Sequence, residues 1–169
     1  MTMDATTWLR HAVGGFAGLT PPERRAIRDF TLLWSLFEAR LTNANASIPA
    51  IETAVQRLHA TGALDLARLQ RPLRYFCDRY APSGMLAAQF EALRLNGRGR
   101  PVVEQVLRRE PATAVQVTTA LMIIVYRLRN NLFHGNKWSD GIHDQRANFQ
   151  NANQILMVLM DMHREGSSG

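Results

Sequence analysis

Arg129, Asn130 and His134 stand together in the stretch YRLRNNLFHGNKW, residues 126–138, at the end of the apolar run Ala120 to Tyr126. A helix that only fills a core has no use for an arginine, two amides and a histidine at its end. Gly135 reads as the left-handed stop just past that end, which puts His134 in the last turn. There the carbonyl end of the helix favours a cation and draws the imidazole pKa from about 6.5 toward neutrality. A histidine so placed can give or take a proton near pH 7. Asn130 is four residues before it and shares its face. Arg129 is five residues before it and points about 140° away on an ideal helix. Arg129 and His134 therefore converge only if the final turn loosens, or if a second copy of the helix supplies the partner. The same residue types also serve as ordinary C-terminal capping.

The elements that must carry these residues are all helical in pattern, and no stretch alternates with period two for long enough to make a strand. A weak first helix spans about Asp4 to Phe16. Thr20, Pro21 and Glu23 form a capping box with proline at the first helical position, and the helix they open runs to about Asn43. Its apolar stripe is Ile27, Phe30, Leu33, Trp34, Phe37 and Leu41. Ser47 and Pro49 start a third helix that stops at Thr61-Gly62, and a fourth spans Leu64 to Tyr80 with a possible break at Pro72. Ser83 is read as the cap of a fifth helix ending at Asn96-Gly97. Pro101 opens a sixth to about Arg109, and Pro111 opens the longest, ending at Gly135. The buried stripe of that helix is Leu121, Ile124, Val125, Leu128 and Leu132. Asp140 or Asp144 caps the last helix, to about Arg164. The expectation is one all-α helical domain over residues 1–165, with residues 166–169 as a flexible tail.

The chain has 169 residues, 46% of them apolar, and a net charge of +6, with 19 arginines and a single lysine. A basic chain of this size favours an anionic partner such as nucleic acid, although the arginine excess could equally follow from codon bias. Between Arg68 and Arg109 nine arginines face three acids, a local +6 that equals the whole net charge. The longest apolar run is too short to span a bilayer, and the N-terminus shows no basic-then-apolar leader. One cysteine, Cys77, cannot form an internal disulfide and reads as a small buried hydrophobe. These features point to the cytoplasm, with no membrane partner.

RNNLFHG at the stop of a long apolar helix resembles the signature of the HEPN domain superfamily: an arginine, a polar residue, a few mostly apolar residues, then a histidine. Arg129, Asn130 and His134 match those positions, and the FTLLWSLFEARL helix looks like the first core helix of such proteins. The resemblance covers about Thr20 to Arg164. It implies an all-α bundle with the motif at the end of a late helix. It also implies a metal-independent endoribonuclease working as a homodimer, with motif residues of both chains at one cleft, and no cofactor. The 2′-hydroxyl of RNA would attack the adjacent phosphate and leave a 2′,3′-cyclic phosphate and a 5′-hydroxyl. His134 would move the proton, Arg129 would meet the charge on the phosphorane, and Asn130 would hold the imidazole tautomer or bond the phosphate. Such proteins often act as toxins or antiphage defence effectors, so an antitoxin or regulatory protein is a possible partner. The alternative is a non-catalytic HEPN module that binds a nucleotide or a protein. Some members place a tyrosine shortly after the histidine as a site of modification. Asn136 stands there in this chain, which argues against that form of regulation.

Further residues are candidates for support or for RNA contact. Asn131 adjoins the motif. Glu38 interrupts the apolar stripe after Trp34 and Phe37 and could pair with Arg129; it also reads as an ordinary surface glutamate with local partners. Arg74, Tyr75 and Arg79, with Arg68, Arg71, Phe76 and Tyr80 around them, offer charge and stacking for a single strand. The alternative is an amphipathic helix with a solvated arginine face. NGRGRP, residues 96–101, reads as a flexible basic loop that brings Arg98 and Arg100 to phosphate, or as an exposed connector. Lys137 follows the motif and could touch phosphate. His134, His143, Asp140 and Asp144 fit no standard metal spacing, so no metal is expected.

Overall fold

The computed structural model describes residues 3–133 and 145–168, and among these the chain is helical with no strand. The helices are α1 Ala5–Ala12, α2 Gly14–Ala17, α3 Pro21–Leu41, α4 Ile48–Ala60, α5 Gln70–Tyr80, α6 Ala88–Glu91, α7 Arg100–Leu107, α8 Ala114–Phe133 and α9 Arg146–Gly166. No helix among the described residues is long and apolar enough to cross a membrane.

Local chemistry sets several of these boundaries. Thr20 Oγ1 accepts from Glu23 N while Glu23 Oε2 accepts from Thr20 N at 2.8 Å, so the capping box read from the sequence opens α3. Ser47 Oγ caps α4 by accepting from Ala50 N. Thr113 and Gln116 exchange reciprocal bonds of 2.9 and 3.2 Å at the start of α8, three residues beyond where Pro111 suggested. α8 has 20 described residues, against 21 in α3 and in α9, and its expected end at Gly135 lies outside the described residues.

Other boundaries differ from the pattern reading. The break before α5 falls at Leu69, not Pro72, because Pro72 sits in the first turn, where its missing N–H costs nothing. Ser83 caps no helix: it lies at φ 55° inside a single turn of 3-10 helix, Pro82–Gly84, and only the four-residue α6 follows. Gln145 occupies the N-cap position of α9 without a side-chain bond, and the two aspartates read as caps lie outside the described residues. Residues 166–168 are not a loose tail. Gly166 ends α9 against Thr61 and Ala63, where a Cβ would come within 2.8 Å of Thr61 Oγ1. Ser167 and Ser168 then bond back to the carbonyls of His163 and Arg164.

One continuous apolar core joins these helices. α3 and α9 lie antiparallel along each other: Phe30 meets Phe149 with ring centroids 5.0 Å apart, and Asn153 Nδ2 donates to Ala26 O. α8 packs against α4 and α7 and also touches α9. Its middle is buried on every side, since Ala120, Leu121, Met122, Ile123, Ile124 and Val125 are all 0% exposed. The predicted stripe of α8 is buried, but the helix has no polar face there to set it off. Polar side chains return only from Tyr126 onward, where α8 leaves the core.

Candidate functional site at the end of the central helix

α8 delivers Arg129 to the side that faces α3. The guanidinium carbon lies 5.9 Å from the Trp34 ring centroid and 5.0 Å from that of Phe133, so two aromatic rings flank the cation. Trp34 itself is held between Phe37, at 5.5 Å, and Tyr126, at 6.0 Å. Arg129 Nη1 donates to Asn130 Oδ1 at 3.1 Å, while Arg129 Nε is buried and has no hydrogen-bond partner among the described residues. No carboxylate among the described residues pairs with Arg129. The result is a half-buried guanidinium, oriented by rings and an amide, whose charge is not cancelled by an acid. Such a fork suits a phosphate or a carboxylate. His134 and Lys137 lie outside the described residues, as do Asn136, Asp140, His143 and Asp144.

Glu38 does not orient Arg129. Its Oε1 accepts from Ala46 N at 3.3 Å and closes the turn after α3, in which Asn43 and Ala44 both have positive φ. Asn131 does not join the motif either. Two residues after Arg129, it points about 200° away around the helix. There it is 4% exposed, and its Nδ2 donates to Ala92 O at 2.9 Å.

The stretch read as a flexible basic loop is a pinned turn. Gly97 takes φ 66°, and Gly99 is packed so closely that a Cβ would sit 2.9 Å from Ile48 Cδ1. Both of its arginines are engaged by acids. Arg98 pairs with Glu52 at 2.6 Å, and Arg100 pairs with Glu91 at 2.7 Å and Glu104 at 2.6 Å while lying over the Phe90 ring. These bonds direct the two charges at this protein's own carboxylates.

On α5 the three candidates divide. Tyr75 donates its hydroxyl to Asn148 Oδ1 at 2.8 Å, and Arg79 folds over the Tyr80 ring at 5.8 Å. Phe76 and Tyr80 are buried and stacked on each other, so they belong to the core rather than to a stacking platform for bases. Burial pushes the Tyr80 pKa up to about 12 and raises that of Tyr75 as well, against the lowering effect of Arg79. Arg74 is exposed and lines both a cavity of about 270 Å³, beside Cys77 and Arg109, and the groove on the other side of α5. Cys77 is buried as expected, with its Sγ 3.7 Å from Val106 O, and burial raises its pKa.

Two residues that the pattern did not single out stand beside the motif. Arg127 Nε donates to Leu93 O at 2.9 Å, one peptide before Arg94, and Arg94 is exposed with φ 52°. The only hint in the sequence was that Arg127 and Asn131 are four apart on one helical face; nothing showed what that face would hold.

No protein-family model matches this chain, no curated protein matches it, and no solved structure matches its fold. The fold and the site together define an all-α bundle whose central helix ends in an arginine flanked by aromatic rings.

Proposed function

We propose that the protein is a metal-independent endoribonuclease of the HEPN type, acting as a homodimer with the ends of two α8 helices at one cleft. The observation that carries this reading is the Arg129 guanidinium: aligned by Trp34, Phe133 and Asn130, and free of any carboxylate among the described residues. The resemblance of RNNLFHG to the family signature supplies the rest. In the proposed reaction a base removes the proton of the 2′-hydroxyl, and the freed oxygen attacks phosphorus. The bond to the 5′-oxygen breaks, and that oxygen takes a proton from an acid. His134 from the two chains provides the base and the acid. Arg129 stabilises the added charge of the phosphorane with paired N–H donors. The biological role that goes with this reading is a toxin or a defence effector, held in check by a partner protein.

The test is RNA cleavage by the purified protein in EDTA. Arg129→Ala and His134→Ala should each abolish cutting and leave the helical signal in far-UV circular dichroism unchanged. Undiminished cutting by both variants would sink the assignment. Light scattering should give twice the 19.0 kDa chain mass under assay conditions, and a monomeric mass would remove the shared cleft.

A further inference from the structure

We infer that Arg94 and Arg127 form a second phosphate-binding subsite, on the side of the last turns of α8 opposite Arg129, for the backbone of a single RNA strand. This rests on the ribonuclease reading and extends it from the scissile phosphate to the strand around it.

Arg127 and Asn131, four residues apart on α8, both reach out to the turn after α6. Arg127 Nε donates to Leu93 O and Asn131 Nδ2 to Ala92 O, each at 2.9 Å. Those bonds fix the backbone immediately before Arg94. Leu93 and Leu95 on either side of it are 1% and 2% exposed, so the turn is anchored in the core while Arg94 between them is exposed. Arg94 holds φ 52°, a conformation that costs a residue with a Cβ about 1 kcal/mol or more and persists where its surroundings enforce it.

The electrostatics leave the same pair without a counter-charge. Among the nine arginines from Arg68 to Arg109, five are in ion pairs: Arg68, Arg98, Arg100, Arg108 and Arg109. Among the described residues Arg71, Arg74, Arg79 and Arg94 are in none, and neither is Arg127; of these, Arg94 and Arg127 meet at the end of α8. The nearest acid in sequence, Glu91, is held by both terminal nitrogens of Arg100 at 2.7 and 3.2 Å. The end of α8 and the turn after α6 therefore hold three guanidinium groups, those of Arg127, Arg129 and Arg94, with no carboxylate bonded to any of them among the described residues. Like charges gathered without counter-charge repel one another, and a polyanion relieves that repulsion. Arg127 spends its Nε on Leu93 O, which leaves its terminal nitrogens for an oxyanion next to the residue that carries the exposed Arg94 side chain. The two subsites lie on opposite faces of one helix, which has a diameter of about 10–12 Å. A strand crossing the helix end would meet them with phosphates that are not adjacent, and the contacts would be indifferent to base identity.

The experiment is fluorescence anisotropy with a labelled 2′-O-methyl oligonucleotide, which binds but cannot be cut, over a series of salt concentrations. Arg94→Asn is the variant, because asparagine tolerates left-handed backbone while removing the charge. It should weaken binding several-fold at low salt, and the slope of log K against log salt should fall by about 0.7, the value for one phosphate contact on a single strand. Identical affinity and slope for Arg94→Asn and wild type would overturn the subsite, as would a wild type that binds no oligonucleotide. Cleavage of the unmodified strand, run in parallel, separates the two claims. A wild type that binds through Arg94 but never cuts would keep the subsite and remove the nuclease.

Discussion

Arg129 lies over the indole of Trp34 with its guanidinium carbon 5.9 Å from the ring centroid, and among the described residues neither Arg129 Nε nor Trp34 Nε1 has a hydrogen-bond partner although both are buried. Unpaired buried N–H groups are rare in folded proteins. Two of them in one contact mean that ring stacking, together with the single Nη1 bond to Asn130 Oδ1, sets the direction of the guanidinium.

That arrangement predicts different outcomes for two substitutions of Trp34. Trp34→Phe keeps a ring under Arg129 and removes an unsatisfied donor, so kcat for RNA cleavage should stay within about threefold. Trp34→Leu removes the cation–π contact, worth roughly 1–2 kcal/mol when desolvated, and kcat should fall about tenfold with little change in KM. Equal kcat for the two variants would remove Trp34 from the positioning of Arg129.

Arg129→Lys tests the fork rather than the charge. A lysine offers a point charge on a flexible stem and cannot give two parallel donors to one phosphate. Cleavage by Arg129→Lys should fall on the order of 100-fold or more, the scale seen when one preorganised donor is lost. Near-normal activity would mean that charge alone suffices.

Gly99 supports the turn that pins Arg98 and Arg100. Its missing side chain makes room for Ile48 and Ile123, whose nearest atoms would lie 2.9 and 3.2 Å from a Cβ. Gly99→Ala should lower stability by about 1–3 kcal/mol, read as a shift of the urea midpoint. Gly14→Ala is the control, since a Cβ there meets nothing within 4 Å. It should be neutral or gain up to about 1 kcal/mol.

Tyr80 sets an alkaline limit. It is 3% exposed, and burial raises its pKa from 10.0 to about 12. In the unfolded chain it ionises near 10, so between those values the unfolded state releases a proton that the folded state retains. The stabilisation is complete below pH 10 and is lost as pH rises toward 12, a loss of about 2–3 kcal/mol. Urea midpoints at pH 8 and pH 11 should show the drop in the wild type and a smaller one in Tyr80→Phe. Equal drops would place the titration elsewhere.

What could be read from the sequence was what depends on residues close along the chain. The Thr20–Glu23 box, the Ser47 cap and the apolar stripe of α3 all involve partners within a few positions, and all three stand in the structure. The Thr113–Gln116 box was equally local but was masked by Pro111, which drew the helix start toward itself. The pairing of Arg98 could not be read, because Glu52 lies 46 residues away, whereas Arg100 and Glu104 stand at the i,i+4 spacing that a helix pairs. The separation of Asn131 from Arg129 is legible in helix geometry, since two residues of helix turn a side chain to the far side. Its actual acceptor, Ala92 O, is 39 residues away and leaves no local trace.

Residues 120–125 of α8 are enclosed on all sides. A rod sheathed along its whole middle can neither roll nor slide without opening the entire bundle, and its amide protons should exchange with solvent only in that event. Any signal that tunes this protein must therefore act where the rod emerges, by what it allows to settle beside Arg129, and not by turning the shaft behind it.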